Sequence, residues 1–223
     1  MKSFKSSRSP FVICITIIGL IFIGFYGCQT SNVDRAERTT TSMQTLNEDL
    51  NTMIDHIDQV EASLNNLTNP QQENIRQVYE EYSSRVEEME SHGERLITHA
   101  DEMNEQGDEY FSEWEQQDGS YTNPQIQRLS QERRRELRST YSEIIEANNE
   151  VRQDLRRYIS DTEEIQDFLS HDLSTRGIES ISSLIPEVID DGEQLKASIN
   201  RVQYSIDVAL SEMERPGSGQ EQE

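Results

Sequence analysis

The sequence predicts an all-α protein, an elongated antiparallel four-helix bundle with coiled-coil packing, and three observations carry that expectation. Apolar residues recur at alternating spacings of three and four through long segments, the signature of a helix with one buried stripe. Clusters of turn residues, most with a proline, separate those segments. The connections are short, and short connections between long helices make sequence neighbours antiparallel. A strict seven-residue repeat also drifts against a straight 3.6-residue helix, so it implies a left-handed supercoil against neighbouring helices.

The first helix is expected over about 35–68, with Met43, Leu46, Leu50, Met53, Ile57, Val60, Leu64 and Leu67 in register. Asn69-Pro70 ends it, because the residue before proline is pushed out of helical geometry. The second, about 71–117, places Ile75, Tyr79, Tyr82, Val86, Met89, Gly93, Leu96, Ala100, Met103, Gly107, Tyr110 and Trp114 on one stripe. Its two glycines either let a neighbouring backbone come close or mark a bend. Asp118-Gly-Ser-Tyr-Thr-Asn-Pro124 supplies the next turn. The third helix, about 124–171, carries Leu137, Tyr141, Ile144, Asn148, Val151, Leu155, Tyr158, Thr162, Ile165 and Leu169. Polar Asn148 and Thr162 on the seam are read as register-fixing residues. Asp172-Leu-Ser-Thr offers a cap for a last helix over about 175–213, whose register passes through Pro186. A kink rather than an end is expected near Ser182–Pro186. Residues 214–223 read as a frayed tail.

Ahead of these helices runs Phe11–Tyr26, an uncharged apolar stretch behind a leader with Lys2, Lys5 and Arg8, closing on Gly27-Cys28. That is the anatomy of an export signal, residues 1–27. The run falls short of the ~20 apolar residues of a comfortable membrane-spanning helix. Only Cys14 and Cys28 exist, and Cys14 lies inside the apolar run, so a chain cut after Gly27 keeps one thiol at its new N-terminus. Residues 28–34 then form a linker from that residue to the bundle. The alternative keeps the run uncut as an inner-membrane signal anchor.

The 223 residues carry a formal charge of -23, and all three positive charges of the leader lie outside the helices, so the bundle is more acidic still. Such a surface excludes bulk nucleic-acid binding. Apolar residues make up only 33%, yet their strict placement favours a narrow core stripe over disorder. After the leader Lys196 is the only lysine, against sixteen arginines. Strong acidity with little lysine fits either adaptation to high salt, which screens self-repulsion, or a merely soluble acidic helical protein.

Chemistry-bearing patterns are few. The residues three before His56, His92, His99 and His171 are Met53, Met89, Leu96 and Phe168, so the Glu-x-x-His pattern of di-iron bundles does not occur. The histidines are read as solvated flank residues. Ser/His/Asp arrangements, phosphate loops and zinc spacings do not occur either, and the expectation is a protein that is not an enzyme and takes no metal or cofactor. Arg128, Arg133, Arg134, Arg135 and Arg138 form the only basic cluster. A hairpin at Asp118–Pro124 sets Glu102, Glu105 and Glu109 opposite it for surface ion pairing. Alternatively Trp114, Tyr121, Arg133, Arg134, Arg135 and Arg138 form a membrane-proximal or ligand-contacting surface, since arginine with Trp and Tyr suits a bilayer interface.

Four features together, Gly27-Cys28, Phe111-Ser-Glu-Trp-Glu-Gln-Gln117, Arg133-Arg-Arg-Glu-Leu-Arg138 and Leu173-Ser-Thr-Arg-Gly-Ile178, resemble an uncharacterised bacterial lipoprotein family catalogued as domain of unknown function 2959. The resemblance covers essentially the whole chain after the signal. It implies a helical envelope lipoprotein acylated at Cys28, and brings no known activity. Gln29 after the cysteine then points to an outer-membrane lipoprotein facing the periplasm. The resulting expectation is a lipid-anchored spacer, adaptor or scaffold that meets an envelope protein or its own copies. The alternative is a lipoprotein binding cell-wall glycan or phosphate.

Overall fold

The computed structural model describes residues 32–69 and 74–214. The chain divides into two units, Met1–Arg35 and Ala36–Glu223, and the second is the subject below. Gly27, Cys28 and the tail after Glu214 lie outside the described residues.

The protein is all-α. Five helices follow in order among the described residues, α1 (Asn32–Leu67), α2 (Ile75–Asp118), α3 (Pro124–His171), α4 (Thr175–Ile181) and α5 (Ile185–Glu214). Capping residues fix their starts. Asn74 accepts from the Gln77 backbone N–H ahead of α2, and Asn123 accepts from the Gln125 N–H at 2.9 Å ahead of α3, where Pro124 takes the first helical position. Ser174 accepts from the Gly177 N–H at 3.1 Å to start α4.

The buried set is the heptad set over most of its length. All eight α1 seam residues from Met43 to Leu67 are buried, as are all ten of α3 from Leu137 to Leu169. One stretch of α2 departs from the predicted stripe. Past Gly107 the buried apolar residue is Phe111, and Tyr110 and Trp114 are only partly buried beside it. The step is four residues instead of three because an aromatic group fills this end: the Phe111 ring lies 5.6 Å from Tyr141 and 5.2 Å from Tyr110, edge to face.

The predicted last helix is two helices. Ser182–Leu184 form a turn, with the Leu184 N–H bonded to the Ile181 carbonyl at 2.9 Å. Pro186 has no N–H for the Ser182 carbonyl, and its ring would meet that carbonyl in a continuous helix. The chain therefore stops and restarts, and Pro186 becomes a first-turn residue of α5, where a missing donor costs nothing. This replaces the expected kink.

Cross-helix bonds give the helix directions. Between α2 and α3, Tyr82 donates to the Thr162 carbonyl at 2.7 Å near one end, and Trp114 donates to Ser130 at 2.7 Å near the other. Between α3 and α5, Ser198 meets Asp154 and Arg201 meets Glu150, while Thr140 meets Glu212. Between α1 and α5, Lys196 meets Asp58 and Gln203 meets Asn51. In each pair one chain rises as the other falls. The end of the bundle with the α2–α3 turn is consequently also the end where α5 finishes, and the one toward which α1 descends from Asn51.

Candidate functional site

Most of the predicted surface at the α2–α3 end closes on itself. The Trp114 indole N–H donates to Ser130 Oγ at 2.7 Å, and Ser130 donates in turn to Asp118 Oδ1 at 2.5 Å. The other Asp118 oxygen faces the Arg134 guanidinium at 3.3 Å, in an ion pair whose side chains are 5% and 14% exposed. Arg133 donates to the Glu212 carbonyl and pairs with Glu136 at 3.6 Å. Arg138 sits over the Phe111 ring, 5.5 Å from its centroid, a cation–π contact. Among the predicted contact residues, Tyr121 and Arg135 are exposed and engage none of these groups. Glu102, Glu105 and Glu109 stand exposed on α2, and the acids the arginines meet are Asp118, Glu115 and Glu136. The hairpin is tight, so the arginines close to the turn meet the acids close to the turn. Two apolar residues absent from the predicted surface, Ile126 and Leu129, are 47% and 66% exposed beside them.

The histidines correct the expectation of solvated flanks. His92 is 4% exposed, and both ring nitrogens are bonded across or along the helices. Its Nδ1 lies 2.8 Å from the Arg95 guanidinium, which can only donate, so the ring proton sits on Nε2 and is donated to the Asp49 carbonyl at 2.9 Å. His99 Nδ1 meets the Asp49 carboxylate, so one α1 residue holds two α2 rings by separate oxygens. The His56 ring lies 5.1 Å from His92. Burial pushes the His56 pKa down, and His92 adds to that, with Glu88 opposing. His171 alone is exposed. The physical reason is position: His92 and His99 flank the α2 seam on the side that meets α1, a side the seven-residue spacing does not identify. No group of three or more His, Cys, Asp or Glu side chains among the described residues is arranged to hold a metal ion.

A second cluster escaped the sequence reading. Lys196 of α5 lies 2.8 Å from Asp58, 3.2 Å from Glu61 and 2.6 Å from Glu193. Burial alone pulls the lysine pKa down, and the three carboxylates overturn that and raise it. Burial likewise raises Glu61, more than Lys196 lowers it. The available signal was that a chain otherwise relying on arginine keeps one lysine. A compact ammonium suits a site where three carboxylates converge around one point.

Along α3, α4 and α5 lies a groove of ≈ 430 Å³, floored by Ile165, Ile181 and Val188 and bordered by Phe168 and Leu184. Asp161, Glu164 and Glu187 line it, and its lining includes no cation.

These features define a helical bundle whose polar clusters bind its helices to one another. The profile of a protein family described as "Protein of unknown function (DUF2959)" matches residues 29–213, and the chain belongs to that family. Comparisons with curated proteins and with solved structures gave no match. No described helix is long and apolar enough to cross a membrane.

Proposed function

We propose that the protein is a non-enzymatic envelope lipoprotein, an elongated antiparallel four-helix bundle held at the outer membrane through an acylated Cys28 and acting as a periplasmic spacer, adaptor or scaffold. In this reading α4 and α5 together make the fourth helix, and the heptad-spaced core is packed as a coiled coil. The observation that carries it is the coupling of Gly27-Cys28, after an uncharged run, to a bundle whose start follows closely. Cys28 precedes Asn32, the first residue of α1, by four residues, a tether of at most about 14 Å. Two or more acyl chains hold a protein stably where one does not.

A spacer needs length and stiffness more than a pocket. At 1.5 Å per residue the 48-residue α3 measures about 72 Å. The Trp114 N–H is bonded and the Arg134 guanidinium is ion-paired with Asp118 inside the bundle end, which favours the spacer over a glycan- or phosphate-binding lipoprotein. In-cell crosslinking of the tagged chain, then purification from the envelope, tests the scaffold. An envelope protein or a second copy recovered in constant proportion is the expected result; recovery of the chain unaccompanied contradicts it.

A further inference from the structure

Six large apolar residues are exposed among the described residues, and they fall at three levels of the bundle. Tyr121, Ile126 and Leu129 lie at the α2–α3 end at 38%, 47% and 66% exposure, and Phe168 and Leu184 at the α3–α4 end at 42% and 48%. Tyr204, at 71%, stands between them on α5. The two end patches carry opposite charge. Residues 128–138 hold five arginines against Glu132 and Glu136, with Arg128 and Arg135 exposed. The groove at the other end is lined by Asp161, Glu164 and Glu187. Burial, and then the charges of Asp191, Glu164 and Glu187, push the Asp161 carboxyl up, and Arg157 reaches Asp191 at 3.4 Å.

Both patches also lie on one side. Ile126 and Leu129 stand five heptads before Asp161 and Glu164, and Ile126 six before Phe168, so all occupy the same two stripes of α3. Those stripes flank α5: Arg133, Thr140, Glu150, Asp154 and Arg157 on them all bond across to it. Ala147 is midway between Ile126 and Phe168. Three residues on from the Arg201–Glu150 bridge, counted in antiparallel sense, Tyr204 comes level with it.

We propose that the α3–α5 face is the surface on which a second copy of this chain docks, antiparallel, about a two-fold axis at the level of Tyr204. Each copy then places Ile126, Leu129 and Arg128 in the acid-bordered groove of the other. A self-complementary patch is what a two-fold interface requires, and one end is basic where the other is acidic. The strip between Ile126 and Phe168 is about 63 Å long and two helices wide, room for the ~800 Å² per partner of a stable interface.

The test uses full-length chains with Cys14→Ser and Cys28→Ala, so no other thiol is present and the outcome is separate from acylation. One tagged copy carries Leu129→Cys and a differently tagged copy Leu184→Cys, both at exposed positions. Mild oxidation is expected to join them in several-fold excess over a Leu129→Cys and Glu94→Cys control, since exposed Glu94 lies on α2. Arg128→Glu is expected to weaken the pair about tenfold, and Glu187→Arg in the other copy to restore it. Yield no better than the control overturns the proposal, as does Leu129→Cys joining its own kind, which means parallel pairing. Retention on anionic phospholipid vesicles with control-level crosslinking also overturns it and assigns the basic end to lipid.

Discussion

Replacing Lys196 with methionine is expected to cost about 2–3 kcal/mol, below the 3–5 typical of breaking a fully buried ion pair. The discount follows from geometry. Glu61 is the partner that suffers, its side chain 12% exposed, whereas Asp58 and Glu193 at 58% and 64% are solvated with or without the lysine. For a chain of this size the loss corresponds to a fall in Tm of roughly 4–12 °C. Converting Glu61 to glutamine in the same background should recover most of it, because a neutral amide leaves no largely buried charge without its partner. The contribution also has a direction in pH. The lysine pKa is raised in the folded chain, so its stabilisation is complete below the ordinary lysine pKa of 10.5 and is lost as pH rises through the folded value. Thermal melts of the wild type, the single and the double variant check the set.

The second large effect separates two glycines of one helix. A Cβ on Gly107 would stand 2.2 Å from Cζ of Tyr141 and 2.3 Å from its hydroxyl oxygen. That ring cannot step aside cheaply: its hydroxyl donates to the Met103 carbonyl, and its edge packs against Phe111. Gly107→Ala should therefore cost about 2–3 kcal/mol net, overpacking and a lost buried hydrogen bond outweighing the ~1 kcal/mol that alanine gains in a helix. At Gly93 the Cβ would meet Leu155 Cδ2 at 3.2 Å and Ile159 Cδ1 at 3.3 Å, ends of side chains that can move by tenths of an ångström. Gly93→Ala should be neutral or stabilising by up to about 1 kcal/mol. Denaturant midpoints of the two variants, with Tyr141→Leu added to Gly107→Ala to relieve the clash, decide the matter.

That contrast also marks how far the sequence could be read. A seven-residue repeat states which residues of a helix share a buried stripe, and so the α1 and α3 cores were legible residue by residue. It does not state which flank of the stripe meets a neighbour. His92 and Asp118, both off the predicted stripe, are buried for that reason, and Lys196 reaches the boundary between α1 and α5. Proline at 186 was visible, but whether a helix bends or restarts depends on whether the turn before it can bond to itself. The Leu184 N–H to Ile181 carbonyl bond, and the Leu184 carbonyl accepting from the Glu187 and Val188 N–H groups, supply that alternative. At the α2–α3 end the arginine and aromatic composition was legible, and its allocation was not. Trp114 and Arg134 turn inward because Ser130 and Asp118 meet them across the hairpin. Tyr121, Ile126 and Leu129 are left outside.

The most direct test of the proposed anchoring is intact-mass analysis of the protein purified from membranes, with fatty-acid labelling of wild type and Cys28→Ala in parallel. The expected chain begins at Cys28 and carries acyl groups on that residue, and the variant loses all label. A chain retaining residues 1–27, or continued labelling of Cys28→Ala, would contradict it.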